Sequence, residues 1–449
     1  MSAIEQLAAS VADRTAIPGA LRECLSLHVA DTVGACVAGS RTPEGVALLR
    51  FAAPDTLLPD GIAERVLRNC ALARLSELDD IHLGSCTTPG SVIIPAALTL
   101  GASIGHCTSD MLAGSILAGY EAVLRLGLAL DGPSILYRGI WPTYIAAPFG
   151  VAAATARLLD LDQRQTAHAL ALALALAAPG VGQQSGASMS RWLAMGYAAR
   201  SGVIAARAAS QGFTADLKML EGEFFHSVYG VTPRIAVFTH GLGRRDAIGA
   251  VSYKPWCAAR QTMAAAQGLK EILDGGVLAA DITAIEARIP SPTLRMVNHG
   301  VAPGERSSHL TSLPYQLACM ALARASMLEV TQAPASLPGE MQAFMAKVTV
   351  LADESLMRHF PRSWPARVAV QAATGREERL IMHVPGDPER PFDETDVRRK
   401  FEGAVAPLLG KARADRLLRA GFAVFGENAP PASLLGEIEA SFVPAAAPS

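Results

Sequence analysis

The stretch VSYKPWCAARQTM, residues 251–263, marks a change in the periodicity of the chain. Before it, apolar residues recur at spacings of three and four nearly throughout, which predicts α-helices. Glycine and proline breaks separate the segments, so we expect a bundle of many helices. The clearest segments are PGALRECLSLHVADTVGACVAG (18–39), SDMLAGSILAGYEAVLRLGLAL (109–130), TYIAAPFGVAAATARLLDL (143–161) and ARSGVIAARAASQGF (199–213).

After this stretch the chain contains four short segments that alternate in polarity and are rich in Val, Ile and Thr, a pattern typical of half-buried strands. They are DITAIEARIP (281–290), AKVTVLAD (346–353), ARVAVQAATG (366–375) and ERLIMHVPG (378–386). A helical segment, SLPYQLACMALARASML (312–328), lies between the first two, and helical periodicity returns from residue 393. We predict a mainly α protein with a large all-helical domain, residues 1–255 and 396–449, and a smaller α+β domain, residues 256–395.

Length and charge narrow the class of protein. A chain of 449 residues exceeds the size at which one core usually keeps growing, so two domains are expected. The formal net charge of −2 provides no field that would gather nucleic acid, and no cluster of Lys and Arg is interleaved with aromatic residues. We therefore expect a small-molecule partner and no nucleic acid.

The mean hydropathy of +0.27 raises the question of a membrane. The most apolar segment, TAHALALALALAAPGVGQQSG (166–186), is broken at Pro179 and Gly180, short of the roughly 20 residues that a span needs. It is predicted to be a buried core helix. The N-terminal residues MSAIEQLAASVADRT (1–15) lack the basic start and apolar centre of a signal peptide, so we expect a cytoplasmic protein without a membrane partner.

No cofactor is expected from the motifs. The chain has no Walker loop and no GxGxxG after a strand, and its seven cysteines include no CxxC pair. His82 beside Asp79 and Asp80 offers metal-ligand side chains, but HExxH and other strong spacings are missing, and no metal is predicted. One alternative would use a cofactor: a racemase with pyridoxal phosphate bound to Lys254. The sequence shows no phosphate-binding loop for it.

Polar side chains are concentrated in ELDDIHLGSCTTPG, residues 77–90. In a helical turn Asp79 and His82 would share one face, where the carboxylate would orient the imidazole. Thr88 before Pro89 is typical of an N-cap, and the start of the following helix would offer N–H groups to a carboxylate. Alternatively the threonines only cap and the acids face water; the residues alone leave both interpretations open.

Two further places carry candidate chemistry. In GIWPTYIAAPFG, residues 139–150, Thr143 after Pro142 is predicted to open a helix with Tyr144 just inside. Lys254 stands among aromatic neighbours, where burial would lower its pKa and make it a usable base. An ordinary exposed lysine is the commoner case and stays the alternative.

Six segments, taken in order, resemble the MmgE/PrpD family, which includes methylcitrate dehydratases, cis-aconitate decarboxylase and iminodisuccinate epimerase. The resemblance implies a large all-helical domain formed by both ends of the chain, an α+β lid domain, a homodimer, and cofactor-free chemistry on di- or tricarboxylic acids. The segments are LDDIHLGSCTTPGSVIIPAALTL (78–100), AGYEAVLRLGLAL (118–130), WPTYIAAPFGVAAATARLLDL (141–161), MGYAARSGVIAARAASQGF (195–213), SYKPWCAARQ (252–261) and SSHLTSLPYQLACMAL (307–322).

The resemblance also implies roles for individual residues. The acid cluster of the family falls on Asp79 and Asp80, its lysine on Lys254 and its lid tyrosine on Tyr315. Three positions differ from the dehydratases and decarboxylases. Where those members carry histidines this chain has Thr88 and Trp141, and a third position, usually lysine, is Arg191.

These departures favour one branch of the family. Elimination of water or carbon dioxide needs a general acid, and Thr and Trp remove the obvious candidates. Epimerisation needs only two proton carriers and stabilisation of an enolate-like charge. The pattern is similar to iminodisuccinate epimerase, and predicts a cofactor-independent epimerase of an iminodisuccinate-like dicarboxylate.

In this hypothesis Lys254 exchanges the α-proton together with a second carrier, which the sequence leaves open between Tyr144, Tyr315 and His82. Arg191 and Thr88 bind substrate carboxylates, and Asp79 and Asp80 orient the donors. One alternative is a dehydratase or decarboxylase of a methylcitrate- or aconitate-like acid, in which His82 or His309 replaces the missing histidines. Another is a catalytically inactive carboxylate-binding protein.

Overall fold

A computed structural model describes residues 1–52, 61–178, 189–244, 246–331, 334–426 and 429–442. The break predicted at Pro179 and Gly180 lies outside these residues. The described residues form two compact units, a helical unit from 1–251 and 393–442 and an α+β unit from 252–392. Each unit is described by itself. The domain limits predicted from composition stay a prediction.

The helical unit consists of helices joined by short loops, and none of its described residues forms an extended strand; an isolated bridge pairs His82 with Thr87. The helical periodicity predicted for this part of the chain is therefore confirmed. The helices are α1 (Ala3–Ala12), α2 (Gly19–Gly39), α3 (Pro43–Phe51), α4 (Ile62–Leu75), α5 (Pro89–Ser103), α6 (Ser109–Ala129), α7 (Gly132–Leu136), α8 (Pro142–Leu158), α9 (Gln163–Ala175), α10 (Ser190–Ser210), α11 (Phe224–Tyr229), α12 (Ile235–Thr239), α18 (Glu394–Leu409), α19 (Lys411–Phe422) and α20 (Pro431–Glu439).

Helices α5, α6 and α8 approach one another closely because glycines stand at their contacts. A Cβ atom at Gly150 of α8 would lie 2.2 Å from Val123 of α6, and one at Gly119 of α6 would lie 2.6 Å from Ile93 of α5. Both distances are shorter than side chains tolerate, so only glycine fits. This close packing fixes the starts of α5 and α8 relative to each other.

One described helix, α6, is long and apolar enough to cross a membrane by length and composition, and 83% of its most apolar window is buried inside the protein. Such burial is what a core helix shows. The segment that the sequence singled out contains the shorter helix α9 instead.

The α+β unit holds a four-stranded mixed sheet with the strand order β2-β1-β3-β4. Strand β1 is parallel to β2 and antiparallel to β3, and β3 is antiparallel to β4. All four strands predicted from the alternating segments are confirmed, as is the helix between the first two. The elements are α13 (Arg260–Asp274), β1 (Ile282–Ile289), α14 (Ser291–Val297), α15 (Arg306–Thr311), α16 (Leu313–Leu322), α17 (Gly339–Met345), β2 (Val348–Ala352), β3 (Ala366–Ala372) and β4 (Gly375–Ile381).

The core of this unit lies between the sheet and α13. Strand β1 buries Ile285, Ala287 and Ile289 at alternate positions, as a half-buried strand does. Helix α13 packs on β3 near Gly268, where an added Cβ would lie 3.2 Å from Val368. The sheet and α13 thus form two layers, and Trp256 and Ala258, from the segment before α13 that also contains Lys254, belong to the same core.

A buried ion pair ties the C-terminal helix α18 into the helical unit. Lys400 Nζ lies 2.6 Å from Asp31 Oδ1 in α2, and donates a hydrogen bond of 2.7 Å to the carbonyl oxygen of Leu78. Burial raises the pKa of Asp31, and the charge of Lys400 acts against that rise. The lysine therefore both neutralises a buried carboxylate and holds the loop that precedes α5.

Replacing this lysine should destabilise the protein strongly. The Lys400→Ala variant leaves the Asp31 carboxylate buried without its cation, and we expect a loss of about 3–5 kcal/mol in the free energy of unfolding. Urea denaturation followed by circular dichroism measures the loss. Arg398→Ala, which removes an exposed pair with Glu394 in the same helix, serves as control and should cost less than about 1 kcal/mol. Equal losses in the two variants would contradict this role of Lys400.

Candidate active site

The acid-rich segment between α4 and α5, residues 76–88, is a tight loop and not a helical turn. Glu77 and Cys86 have left-handed φ values of 55° and 54°, which non-glycine residues adopt only in such turns. The prediction that Asp79 and His82 share one helical face is therefore wrong. The backbone reverses at 82–87, and the two side chains have different hydrogen-bond partners.

Asp80 is fully buried and is surrounded by donors from three helices. The Tyr120 hydroxyl of α6 donates to Oδ2 at 2.8 Å, the backbone N–H of Gly90 donates to Oδ1 at 2.7 Å, and Nδ1 of His28 in α2 lies 3.2 Å from Oδ2. A Cβ at Gly90 would lie 2.7 Å from this carboxylate, so glycine is required there. The Gly90 N–H at the start of α5, predicted to be available to a substrate carboxylate, binds this internal carboxylate instead.

His28 is the cation of this cluster. Burial opposes a charge on the imidazole, but its interactions with Asp80 and Cys24 outweigh burial and raise the pKa of His28 to about 9. The side chain is therefore an imidazolium at neutral pH. Asp80 and His28 form a buried ion pair in the centre of the helical unit.

Asp79 belongs to a second charged group. Arg74, near the end of α4, lies 2.9 Å from Glu77 Oε1 and 3.3 Å from Asp79 Oδ1 through its Nη1 atom. All three side chains are buried. The carboxylates of the acid-rich segment are thus matched by protein cations. This pairing explains why a largely apolar chain has several acids in one short segment.

His82 is a neutral histidine of defined tautomer. The backbone N–H of Ser85 donates to His82 Nδ1 at 3.1 Å, so this nitrogen carries no proton and Nε2 carries it. Burial lowers the pKa of His82 to about 4, against the raising effect of Asp80. At neutral pH its Nε2–H is able to donate a hydrogen bond.

The starts of α5 and α8 meet through two threonines. Thr88 occupies the N-cap position of α5, as predicted, but its side chain accepts no capping hydrogen bond. Its backbone N–H donates to Thr143 Oγ1 at 3.1 Å, and the two hydroxyl oxygens lie 3.4 Å apart. The predicted opening of α8 at Pro142, with Thr143 and Tyr144 inside its first turn, is confirmed.

The start of α10 contacts the start of α8 through Arg191. The Tyr144 hydroxyl donates to the Arg191 carbonyl oxygen at 2.7 Å, and the Arg191 guanidinium lies 4.0 Å from the Trp192 ring centroid and 5.9 Å from that of Trp141. Burial raises the pKa of Tyr144 to about 12, against the lowering effect of Arg74 and Arg191. Three helix starts and a buried guanidinium therefore come together, and the guanidinium is the group suited to an anion.

Lys254 and Tyr315 both lie in the α+β unit. Lys254 is buried, with 2% of its surface exposed, in agreement with the buried-lysine interpretation. Tyr315 is in the first turn of α16, where its backbone N–H donates to the capping hydroxyl of Ser312. Tyr315 lines a cavity with Cys257, three residues after Lys254. The structure thus brings Lys254 and Tyr315 into the same unit, and Asp79, Asp80, His82, Thr88, Tyr144 and Arg191 into the other.

Sequence reasoning missed the partners of the two aspartates. His28 lies in α2 and Tyr120 in α6, and the sequence of these helices was used only to predict helical structure. Arg74 lies near the end of α4, among apolar residues. Their signal was a polar side chain on an otherwise buried helix face. Among the described residues no group of three or more His, Cys, Asp or Glu side chains is placed to hold a metal ion.

Comparison with known proteins shows the family. The MmgE/PrpD N-terminal domain matches residues 5–230 and the MmgE/PrpD C-terminal domain matches residues 256–422. The chain therefore belongs to the MmgE/PrpD family, as the resemblance of its segments predicted.

Among characterised relatives, the cis-aconitate decarboxylase of Aspergillus terreus is 28% identical over 245 residues. The match covers 51% of this chain and 48% of that relative, so it spans about half the length of each. The family match assigns the chain to its family, and the decarboxylase activity is that of the relative. Neither of them extends to the narrower assignment, iminodisuccinate epimerase.

The two histidines of the loop region should titrate in opposite directions. NMR of protein labelled with [15N]histidine should show His28 protonated up to about pH 9 and His82 neutral down to about pH 4. His28→Gln and His82→Gln variants assign the two signals. Titration of both near the ordinary value of 6.5 would contradict the described contacts.

The His28 shift also gives a pH dependence of stability. Its pKa in the folded protein, about 9, lies above the ordinary value of 6.5, so its contribution is complete below pH 6.5 and is lost as the pH rises through 9. The full contribution is on the order of 3 kcal/mol. Urea denaturation at pH 6 and pH 9 should show this loss in the wild type and a smaller one in His28→Gln; equal losses would exclude His28 as the source.

Proposed function

We propose that the protein is a cofactor-independent epimerase of a small amino- or imino-linked dicarboxylate resembling iminodisuccinate. One group removes the α-proton, and a second group returns a proton to the other face of the carbon. The observation that carries this proposal is the nature of Thr88 and Trp141, which stand where the lyases of the family carry histidines. Thr88 contacts Thr143, and the Trp141 ring packs on Tyr144 at a centroid distance of 5.7 Å.

Neither replacement can act as a general acid near neutral pH, because a threonine hydroxyl and an indole N–H do not release protons there. Elimination of hydroxide or carboxylate needs such an acid at the leaving group or at the carbon. Proton exchange at a carbon next to a carboxylate has no leaving group. Threonine and tryptophan at these two positions therefore favour epimerisation over elimination.

We assign the two proton carriers to Lys254 and Tyr315. They share the α+β unit, and Cys257, three residues after Lys254, lines the same cavity as Tyr315. The Tyr315 phenol is a second group of this unit that can carry a proton, and burial, which raises its pKa, keeps it protonated at neutral pH. Of the other candidates, Tyr144 is engaged with the Arg191 carbonyl oxygen, and His82 presents a protonated Nε2 while its Nδ1 accepts from Ser85. Both are better suited to positioning and binding.

We assign carboxylate binding to Arg191 and Thr88. The Arg191 guanidinium packs on the Trp192 ring, and the Tyr144 hydroxyl donates a hydrogen bond to the Arg191 carbonyl oxygen. These contacts orient the side chain before substrate binds. A planar guanidinium binds a carboxylate through two parallel hydrogen bonds. Asp79 and Asp80 are positioning residues that do not touch the substrate. Asp79 pairs with Arg74, and Asp80 binds the start of α5.

Elimination chemistry on an aconitate-like acid is the second candidate function. The named activity of the Aspergillus terreus relative favours it. In this case His82 would have to supply the missing acid through Nε2. Its low pKa argues against this role, because a neutral imidazole is a very weak acid.

Incubation in deuterated water tests the proposal. With single stereoisomers of iminodisuccinate, and of aspartate and succinate derivatives, we expect loss of the α-proton NMR signal and appearance of the opposite stereoisomer. Lys254→Ala should reduce the exchange rate at least about 100-fold, the usual worth of a general base. Lys270→Ala, which removes an exposed lysine from the same unit, should leave it unchanged.

The alternatives give different results in the same samples. A new ultraviolet absorbance from a conjugated double bond with an aconitate- or methylcitrate-like acid would show elimination and overturn the proposal. Thermal stabilisation by ligand without turnover would show an inactive binding protein. We also propose that the protein works as a homodimer in the cytoplasm.

A further inference from the structure

The cavity beside Tyr315 contains a buried histidine that the proposed reaction does not use. It lies within the α+β unit, and part of it is open to solvent. His309, Tyr315, Cys257, Cys319 and Glu329 are among the residues that line it. His309 is almost completely buried, with 2% of its surface exposed.

The contacts of His309 define which of its nitrogens carries the proton. Nδ1 lies 2.8 Å from the carbonyl oxygen of Glu305, and a carbonyl oxygen only accepts, so Nδ1 carries a proton. Burial lowers the pKa of His309, which keeps the ring neutral at pH 7. Nε2 is therefore a bare lone pair, and this buried atom has no hydrogen-bond partner in the described structure.

The surroundings of this lone pair are those of a donor-binding site. The His309 ring meets the Tyr315 ring edge to face, with centroids 4.9 Å apart. The Tyr315 hydroxyl is hydrogen-bonded to the Cys319 sulfur. Glu329 is another residue that lines the same cavity. The His309 Nε2 lone pair can accept a hydrogen bond from an N–H group, and it has no proton to donate to an oxygen atom in the same place.

We propose that His309 Nε2 accepts a hydrogen bond from the linking N–H of the substrate, and that this contact selects amino- or imino-linked dicarboxylates over citrate-like acids. The choice of ligand rests on the proposed function. At neutral pH the secondary amine of such a compound is protonated and carries two donors, one of which is available to Nε2. A buried acceptor without a hydrogen bond raises the free energy of a complex. A ligand that lacks the N–H donor therefore binds more weakly.

Two compounds of the same shape test the proposal in the full-length protein. Iminodisuccinate carries the N–H, and oxydisuccinate has an ether oxygen in its place. Isothermal titration calorimetry should show iminodisuccinate binding about ten-fold more tightly or better, the effect of one lost hydrogen bond to a buried acceptor. In His309→Phe, which keeps a flat ring against Tyr315, the preference should disappear. His359→Phe, which removes an imidazole from the same unit, should keep it.

A second measurement does not depend on any variant folding. In wild-type protein labelled with [15N]histidine, the Nε2 resonance of His309 should move upfield when iminodisuccinate is added, as a nitrogen does when it accepts a hydrogen bond, and should move less with oxydisuccinate. A shift of equal size with both compounds, or with neither, would overturn the assignment.

The result separates this inference from the proposed function. If iminodisuccinate undergoes α-proton exchange while both compounds bind equally in wild type and in His309→Phe, the role of His309 is wrong and the epimerase stands. If the preference is present and depends on His309 but no exchange occurs, the epimerase fails and the donor site stands. If neither compound binds to the wild type, the donor site is overturned.

Discussion

The structure of the helical unit depends on one buried carboxylate, Asp80. Placing a charge in a protein interior costs several kcal/mol unless it is matched by opposite charge and hydrogen bonds. Here the imidazolium of His28, the hydroxyl of Tyr120 and the N–H of Gly90 supply that match from α2, α6 and α5. The carboxylate thereby fixes where α5 begins, and with it the position of Thr88.

The acid-rich loop has mainly a structural role for this reason. Its carboxylates face inward toward protein cations, and Lys400 holds the Leu78 carbonyl from a helix more than 300 residues away. The loop positions uncharged or cationic groups at three helix starts. These groups belong to Thr88, Thr143 and Arg191. The groups that we propose to bind the substrate carboxylates thus belong to the helical unit, whereas the buried groups that we propose for proton transfer, Lys254 and Tyr315, belong to the α+β unit.

Much of the fold could be predicted from the sequence because periodicity is a local property. Four alternating segments correspond to four strands, and Pro142 marked the first turn of α8. The loop at 77–88 could not be predicted in the same way. Its left-handed residues Glu77 and Cys86 contradict local preference and are maintained by tertiary contacts.

The site could be predicted only in part, for a similar reason. The burial of Lys254 followed from its aromatic neighbours, and the family resemblance pointed to Tyr315. The pairing of Asp80 with His28 joins residues 52 positions apart, and no spacing rule connects them. The tautomers of His82 and His309 follow from single backbone contacts, with Ser85 and Glu305, that only a three-dimensional structure reveals.

The pKa of His28 in an Asp80→Asn variant tests the central role of this carboxylate most directly. Asparagine has the same shape without the charge, so burial should then dominate, and the pKa measured by NMR should fall from about 9 to 6.5 or below. A His28 pKa that stays near 9 in this variant would show that another group balances the imidazolium, and would contradict the central role of Asp80.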